Sequence, residues 1–367
     1  MPIREPSFRM GCGRYLQGEN IVEKCGEEVL RLGSAPIIVG GPTALSIAKD
    51  AVVSSVSAVC KKYEVIEHSG TCNDERAIEI AKYANENGYD VIIGVGGGVI
   101  MDFAKLCAHF AGCPVINVPT SSATCAAYTP LSVRYTPEGK TVGTMHFTKE
   151  VDAVLADTAI LKNQPIRLLL AGGFDALAKF IEIKQRFDIN ASVKSFPMGL
   201  DYAYVLAKHS YDVLNREIDG CIEDMKAGLA TERVEQVIFT AIAATGVISG
   251  ISRGSNQCAL AHKFYETTRT LFHESARPYL HGEIVGVGLI LQNLFNGEAE
   301  NNKPFIALMK KHGMPYRITD ITITPTLETM AEYEIRLKNT SAIDETNADE
   351  CFKLHDCLTA LWRAAKE

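Results

Sequence analysis

Apolar positions along this chain change period in a regular way. From residue 35 to about 160, short runs rich in β-branched residues alternate with stretches of helical spacing. Ala35 to Val39 reads as a strand ending in Gly40-Gly41, with Pro42 and Thr43 opening a helix. Tyr63 to Ile66 is a second strand, after which Asn73 leads a helix through Ala77, Ile80, Ala81 and Tyr83 to Gly88. Val91 to Val95 is the third. Beyond Gly96, Gly97 and Gly98 the period switches, with Ile100, Phe103, Ala104 and Cys107 at helical spacing and Gly112 as a stop. Pro114 to Val118 is the fourth strand, Leu131–Tyr135 and Thr141–Met145 flank a Pro137-Glu138-Gly139 turn as a hairpin, and Val151 to Leu155 is the last strand. This alternation predicts an α/β, doubly wound parallel sheet.

After Pro165 the strand signal stops. Segments 166–187, 202–214, 234–248, 258–272, 283–296 and most of 304–367 read as helices, broken by a Thr/Pro-rich stretch at 318–325. A length of 367 residues favours two domains. The expected division is 1–160 for a dinucleotide-binding α/β domain and 161–367 for an all-α domain carrying metal and substrate.

The glycine turn is the first candidate for chemistry. A strand, glycine turn and helix aim bare backbone N–H groups and a helix N-terminus at one spot, which favours phosphate. Position 99 is Val99, so the G-x-G-x-x-G dinucleotide pattern is incomplete, and tight packing alone also selects glycines. A net charge of −7 and the lack of a basic run with interleaved aromatics exclude nucleic acid as a partner. No apolar run is expected to reach membrane-spanning length and no export signal opens the chain, so membrane association is not expected and the cytoplasm is the expected location. The eleven cysteines include no C-x-x-C pair; they read as reduced thiols, with Cys107, Cys113 and Cys258 in apolar or helical surroundings.

Three residues in the helical half are of ligand type on a small-residue background: Asp175 in Ala171–Ala178, His262 in Cys258–His262, and His281 beside Gly282. One carboxylate and two imidazoles hold a divalent ion while leaving positions open, as catalytic sites do. Each alone is more often a hydrogen-bonded core residue, and periodicity does not show whether the three converge.

Taken in order, Gly94–Gly98 with Asp102 and Lys105, Val118–Thr120, Leu131–Tyr135, Ala171–Ala178, Ala261-His262 and His281–Glu283 resemble the glycerol dehydrogenase group of the iron-containing (group III) alcohol dehydrogenases. The resemblance implies a Rossmann-like domain plus a helical domain, with cofactor and metal in the cleft between them. It implies NAD(P)-linked interconversion of an alcohol and a carbonyl compound, and a homo-oligomer. Asp175, His262 and His281 match the metal-ligand positions, and the same three are thereby the catalytic set. Gly96, Gly97 and Gly98 match the pyrophosphate cradle. Thr120, Thr129, Leu131, Val133 and Tyr135 match positions on the nicotinamide side. One divalent ion is implied, with zinc preferred for this donor set and iron(II) the alternative.

Three departures refine the expectation. Where glycerol-oxidising members carry an Asp at the substrate hydroxyls, this chain has Cys125. A neutral side chain there does not repel a carboxylate, and the run Ala123–Val133 is similar to a branch acting on hydroxycarboxylates. The expected substrate is thus a small 2-hydroxy acid or its 2-oxo acid, with Arg277 or Arg253 as carboxylate partner. Glycerol oxidation to dihydroxyacetone is the alternative. Tyr265 stands where many members carry a second His, which alters the proton route. Gly41 stands where NAD-preferring members carry an Asp for the ribose, which admits NADP as well as NAD. A non-catalytic nucleotide-binding relative and a dehydroquinate synthase are the rivals. The complete Asp/His/His set speaks against the first, and the scarcity of basic residues near it against the second.

Overall fold

The structure is a computed structural model and describes residues 10–192, 198–252 and 257–365. Arg253, one of the two expected carboxylate partners, lies outside the described residues. Eight strands are formed: β1 (Tyr15–Gly18), β2 (Pro36–Gly40), β3 (Glu64–Glu67), β4 (Val91–Gly96), β5 (Val115–Pro119), β6 (Leu131–Tyr135), β7 (Thr141–His146) and β8 (Ala153–Asp157). Helices α1 (Cys25–Leu32), α2 (Pro42–Ser57), α3 (Asp74–Glu86), α4 (Gly98–Ala111) and α5 (Thr158–Leu161) alternate with them.

Six strands form one parallel sheet in the order β1-β8-β5-β4-β2-β3, and β6 and β7 form a separate antiparallel pair. The doubly wound parallel sheet expected from the alternation is therefore present. β2, β4, β5 and β8 are buried along their whole length, which is why they appear in the sequence as continuous apolar runs. β2 is followed by β3 on one side, whereas β4 is followed by β5 on the other. The crossovers diverge between β2 and β4, the place where such sheets bind ligands beyond their strand ends. Gly41 and the Gly96–Gly98 turn lie at those two ends, since Gly40 pairs with Val95.

β1 was not expected. It is a four-residue edge strand, half-buried throughout, so it carries neither alternation nor an apolar run.

The second half is helical: α6 (Ile166–Ser192), α7 (Met198–Lys226), α8 (Glu232–Phe239), α9 (Thr245–Ile251), α10 (Leu260–Leu271), α11 (His273–Ala276), α12 (His281–Asn296), α13 (Asn302–Lys311), α14 (Leu327–Lys338) and α15 (Ala348–Ala364). Its main core joins Phe264, Ile284, Leu291, Tyr333, Leu358 and Trp362. A π-turn at Thr240–Ala244 connects α8 to α9, and the Thr245 hydroxyl donates to Thr240 O within it at 2.8 Å.

Packing divides the chain differently from the expected cut at 160/161. One compact unit comprises 9–165 with 215–250, and the other comprises 166–214 with the chain from 251 onward. Residues 215–250 join the α/β unit for identifiable reasons. Gln17 Nε2 donates to Glu235 O at 2.8 Å, Tyr15 meets Phe239 edge-on at 5.6 Å, and Gly246 lies against the Tyr128 ring. Glu232–Ile251 is also the one described helical stretch long and apolar enough to cross a membrane, contrary to expectation, and most of it is buried within the protein. All eleven cysteines are free thiols.

Candidate active site

In the α/β unit, α4 starts at the glycine turn with Gly97 as its N-cap, and no side chain caps it. Its first-turn N–H groups thus face outward from the end of β4 toward any anion. The glycines serve two purposes. A methyl group on Gly96 would press within 2.7 Å of Ile100 Cβ, so that glycine is required by packing. A methyl on Gly98 would come 2.9 Å from Thr124 Oγ1, so this glycine is required by the segment that follows β5. Thr120 N–H donates to Gly96 O at 2.9 Å, bringing that segment over the cradle.

The segment carries Cys125, which is half-buried and whose carbonyl accepts from the N–H of Tyr128 and Thr129 in a tight turn. Thr129 is buried, whereas Leu131, Val133 and Tyr135 are half-buried on β6. Gly41 is the N-cap of α2, and a side chain placed there would meet Ile100 at 3.5 Å and His68 O at 3.9 Å, which is ordinary contact.

In the helical unit, Asp175, His262 and His281 come together. The Nε2 atoms of His262 and His281 lie 3.2 and 3.5 Å from the same oxygen, Asp175 Oδ1, and all three ligand atoms lie within 4.8 Å of one another. Two ligands about 2.05 Å from a tetrahedral ion are expected roughly 3.3 Å apart, so the donor set fits one zinc-sized ion. The elements that bring it together meet at glycines. A methyl on Gly282 would fall 1.8 Å from Ala171 O, and one on Gly288 would fall 2.7 Å from Ala261 O, so α12 packs backbone to backbone on α6 and α10.

Two residues escaped the sequence reading. Glu182 Oε2 is 2.5 Å from His262 Nδ1, while its Oε1 accepts from the N–H of Ala259 and His262 at 2.8 Å each. One buried carboxylate therefore caps α10 and fixes the imidazole with Nε2 toward Asp175. Lys179 Nζ lies 3.1 Å from Asp175 Oδ1 and 3.3 Å from His262 Nε2. The signal was present: 175, 179 and 182 fall at i, i+4 and i+7, on one face of α6.

The charges are strongly coupled. Burial pushes the Asp175 carboxyl up, but Lys179 and hydrogen bonds from His262 and His281 outweigh it and hold the group well below the usual carboxylate range. Burial pulls the His262 imidazolium down, yet the Cys258 sulfur, Glu182 and Asp175 together raise it to about 10 against the opposing Lys179. A cation entering the set therefore competes with a proton on His262 and with the Lys179 ammonium. Cys258 is not the apolar filler expected of it, because its sulfur shares a second cluster with Glu182 and His262.

Tyr265 packs edge-on against the His281 ring at 4.3 Å, so it adjoins the donor set. Arg277 is exposed just after α11, and the structure gives it no described bond to Asp175, His262 or His281. Glu283 is bound in bidentate fashion by Arg167 at 2.6 and 2.7 Å, which pins the first turn of α12 next to His281.

Glu182→Gln is expected to weaken binding of a divalent metal ion about 10- to 100-fold while the protein stays folded, because orientation of a ligand imidazole is worth that much. Competition with a chromophoric chelator measures it; an unchanged affinity would show that Glu182 only caps α10.

The α/β unit thus offers an uncapped helix N-terminus at a glycine turn, and the helical unit an Asp/His/His set of metal-ligand type. Residues 12–162 match the family model for iron-containing alcohol dehydrogenases. Over 287 residues the chain is 31% identical to the glycerol dehydrogenase of Thermotoga maritima, covering 77% of this chain and 75% of that one. It is 29% identical over 281 residues to hydroxycarboxylate dehydrogenase A of Escherichia coli, covering 76% and 72%. The crystal structure of glycerol dehydrogenase from Schizosaccharomyces pombe shares the fold with a TM-score of 0.83 at 21% identity, over 97% of this chain and 90% of that one. The chain belongs to the iron-containing alcohol dehydrogenase family. It is an oxidoreductase of the alcohol dehydrogenase type, acting with a nicotinamide cofactor on a small molecule.

Proposed function

We propose that this enzyme interconverts a small 2-hydroxy acid and its 2-oxo acid by hydride transfer, using NAD or NADP and one zinc ion held by Asp175, His262 and His281. Iron(II) is the alternative ion. The observation that carries the substrate class is Cys125: a neutral side chain sits on the segment packed over the cradle. The likeness to hydroxycarboxylate dehydrogenase A supports the same class. Glycerol oxidation remains the second reading, favoured by the name of the relative in Thermotoga maritima.

When bound, the ion supplies a Lewis acid that stabilises negative charge on the reacting oxygen. The chain's own residues do the rest. The α4 N-terminus binds the pyrophosphate, and Thr120, Thr129, Leu131, Val133 and Tyr135 hold the nicotinamide side. Glu182 holds the His262 proton at Nδ1, keeping Nε2 free for the ion. Tyr265, against His281, supplies a phenol for hydrogen bonding to substrate. Arg277, exposed just after α11, is the candidate partner for the substrate carboxylate.

Cys125→Asp tests the substrate claim. Placing a carboxylate beside a carboxylate substrate costs several kcal/mol, so kcat/KM for 2-oxo acids is expected to fall on the order of 100-fold, while polyol oxidation holds or improves. An unchanged ratio between the two substrate types would refute the role given to Cys125.

Gly41 bears on the cofactor. With no carboxylate at the end of β2, the wild type is expected to accept NADPH as well as NADH as cofactor, and Gly41→Asp to lose NADPH activity about tenfold or more through repulsion of the 2′-phosphate. Steady-state kinetics with both cofactors check this; a strong wild-type preference for NADH contradicts it.

A further inference from the structure

The segment after β5 runs over the cradle, and its carbonyl groups turn inward rather than toward solvent. Lys105, on α4 with its side chain 1% exposed, donates to Ala126 O at 2.7 Å, to Thr129 O at 2.8 Å and to Leu131 O. Its Nζ also lies 2.9 Å from Asp102 Oδ1. Asp102 Oδ2 accepts from Val133 N–H at 3.0 Å, and the Ser132 hydroxyl donates to Asp102 O at 2.7 Å. Asn117, fully buried on β5, donates to Ala127 O at 2.9 Å. The carbonyls of Ala126, Thr129 and Leu131 and the N–H of Val133 are thus tied to two charged side chains one turn apart on α4.

α4 is also the helix whose first turn forms the cradle. Gly98 and Lys105 are seven residues apart, about 10 Å at the helical rise, along a buried and rigid element. The segment that Lys105 holds borders that first turn, since a methyl on Gly98 would come 2.9 Å from Thr124 Oγ1 and 3.7 Å from Ala126 Cβ. A buried ammonium and carboxylate are costly unless both are fully partnered, so such a pair persists where it fixes a geometry.

We propose that Lys105 and Asp102 form a clasp that sets the 126–133 backbone in register with the Gly96–Gly98 cradle, making both positioning residues for the nicotinamide half of the cofactor. The clasp rests on the function proposed above. It does not touch the cofactor; it acts through Thr129, Leu131 and Val133. The adenine and pyrophosphate half, held at the cradle itself, does not depend on it.

The two halves can be read separately. In zinc-loaded protein, Asp102→Asn with Lys105→Met removes both buried charges together, so neither is stranded. ADP-ribose, which lacks nicotinamide, is expected to bind within about twofold of wild type, while NADH binds at least about tenfold more weakly and loses the fluorescence gain of a held dihydronicotinamide ring. If the wild type binds NADPH more tightly, NADPH and 2′-phospho-ADP-ribose take their places. Lys105→Arg keeps the charge but spreads its donors over a planar fork, and carries the same expectation should the double variant fail to fold. Equal loss of both ligands would overturn the proposal, showing a pair that supports the cradle or the fold alone. No loss of either would overturn it as well. A wild type that binds neither nicotinamide nucleotide overturns the proposed function instead, and the clasp's role with it.

Discussion

Asp175→Asn is expected to yield a folded protein that binds no divalent metal ion and shows at least about a 1000-fold lower kcat/KM, a loss of about 4 kcal/mol of transition-state stabilisation. Both imidazole Nε2 atoms converge on Asp175 Oδ1, so this oxygen is the common vertex of the donor set. Neutralising it removes the only carboxylate of the three and the anion that faces the buried Lys179 ammonium beside His262. Metal content by atomic emission and circular dichroism on the same sample separate metal loss from unfolding. Activity within tenfold of wild type in protein shown to be metal-free would contradict the assignment.

Gly282→Ala is expected to destabilise the protein by about 3 kcal/mol and to lower its affinity for a divalent metal ion at the same time. The added methyl would stand 1.8 Å from Ala171 O, a backbone atom that cannot turn aside, so α6 and α12 must separate. That separation pulls His281, the residue before Gly282, away from Asp175 four residues beyond Ala171. Gly286→Ala in the same helix is the control. Its methyl would meet the flexible end of Met309 at 2.7 Å, and the gain in helix propensity of about 1 kcal/mol offsets the adjustment. Denaturant unfolding of the two variants gives the comparison. Equal stability would mean that α12 has room that the structure does not show.

The parts legible in the sequence are those where one physical cause acts on neighbouring residues. β4 and β5 are buried on both faces and therefore appear as unbroken apolar runs, and the change of period after Gly98 marks α4 without ambiguity. β1 has no such signature, because a short edge strand buries too little to impose one. The membership of 215–250 in the α/β unit depends on long-range contacts such as Gln17 to Glu235, which no local pattern encodes.

The donor set shows the same limit. Asp175, His262 and His281 were visible as residue types and through a family likeness, but their convergence is a property of helix packing at Gly282 and Gly288. Glu182 and Lys179 were within reach, since an acid and a base at helical spacing from Asp175 in a largely apolar helix ask for a buried partner. Lys105 is visible in the sequence only as part of a motif. Its three carbonyl partners, in the segment that leads into β6 and on β6 itself, lie 21 to 26 residues away and could not be read from spacing.

The central claim is that the family's chemistry is turned here toward 2-oxo acids. The most direct measurement compares kcat/KM of the zinc-reconstituted enzyme for a short 2-oxo acid with that for dihydroxyacetone, each with NADH and with NADPH. A 2-oxo acid reduced at least about tenfold more efficiently, a difference of about 1.4 kcal/mol at the transition state, is the predicted result. Dihydroxyacetone reduced better than every 2-oxo acid would contradict it and assign the enzyme to polyol oxidation.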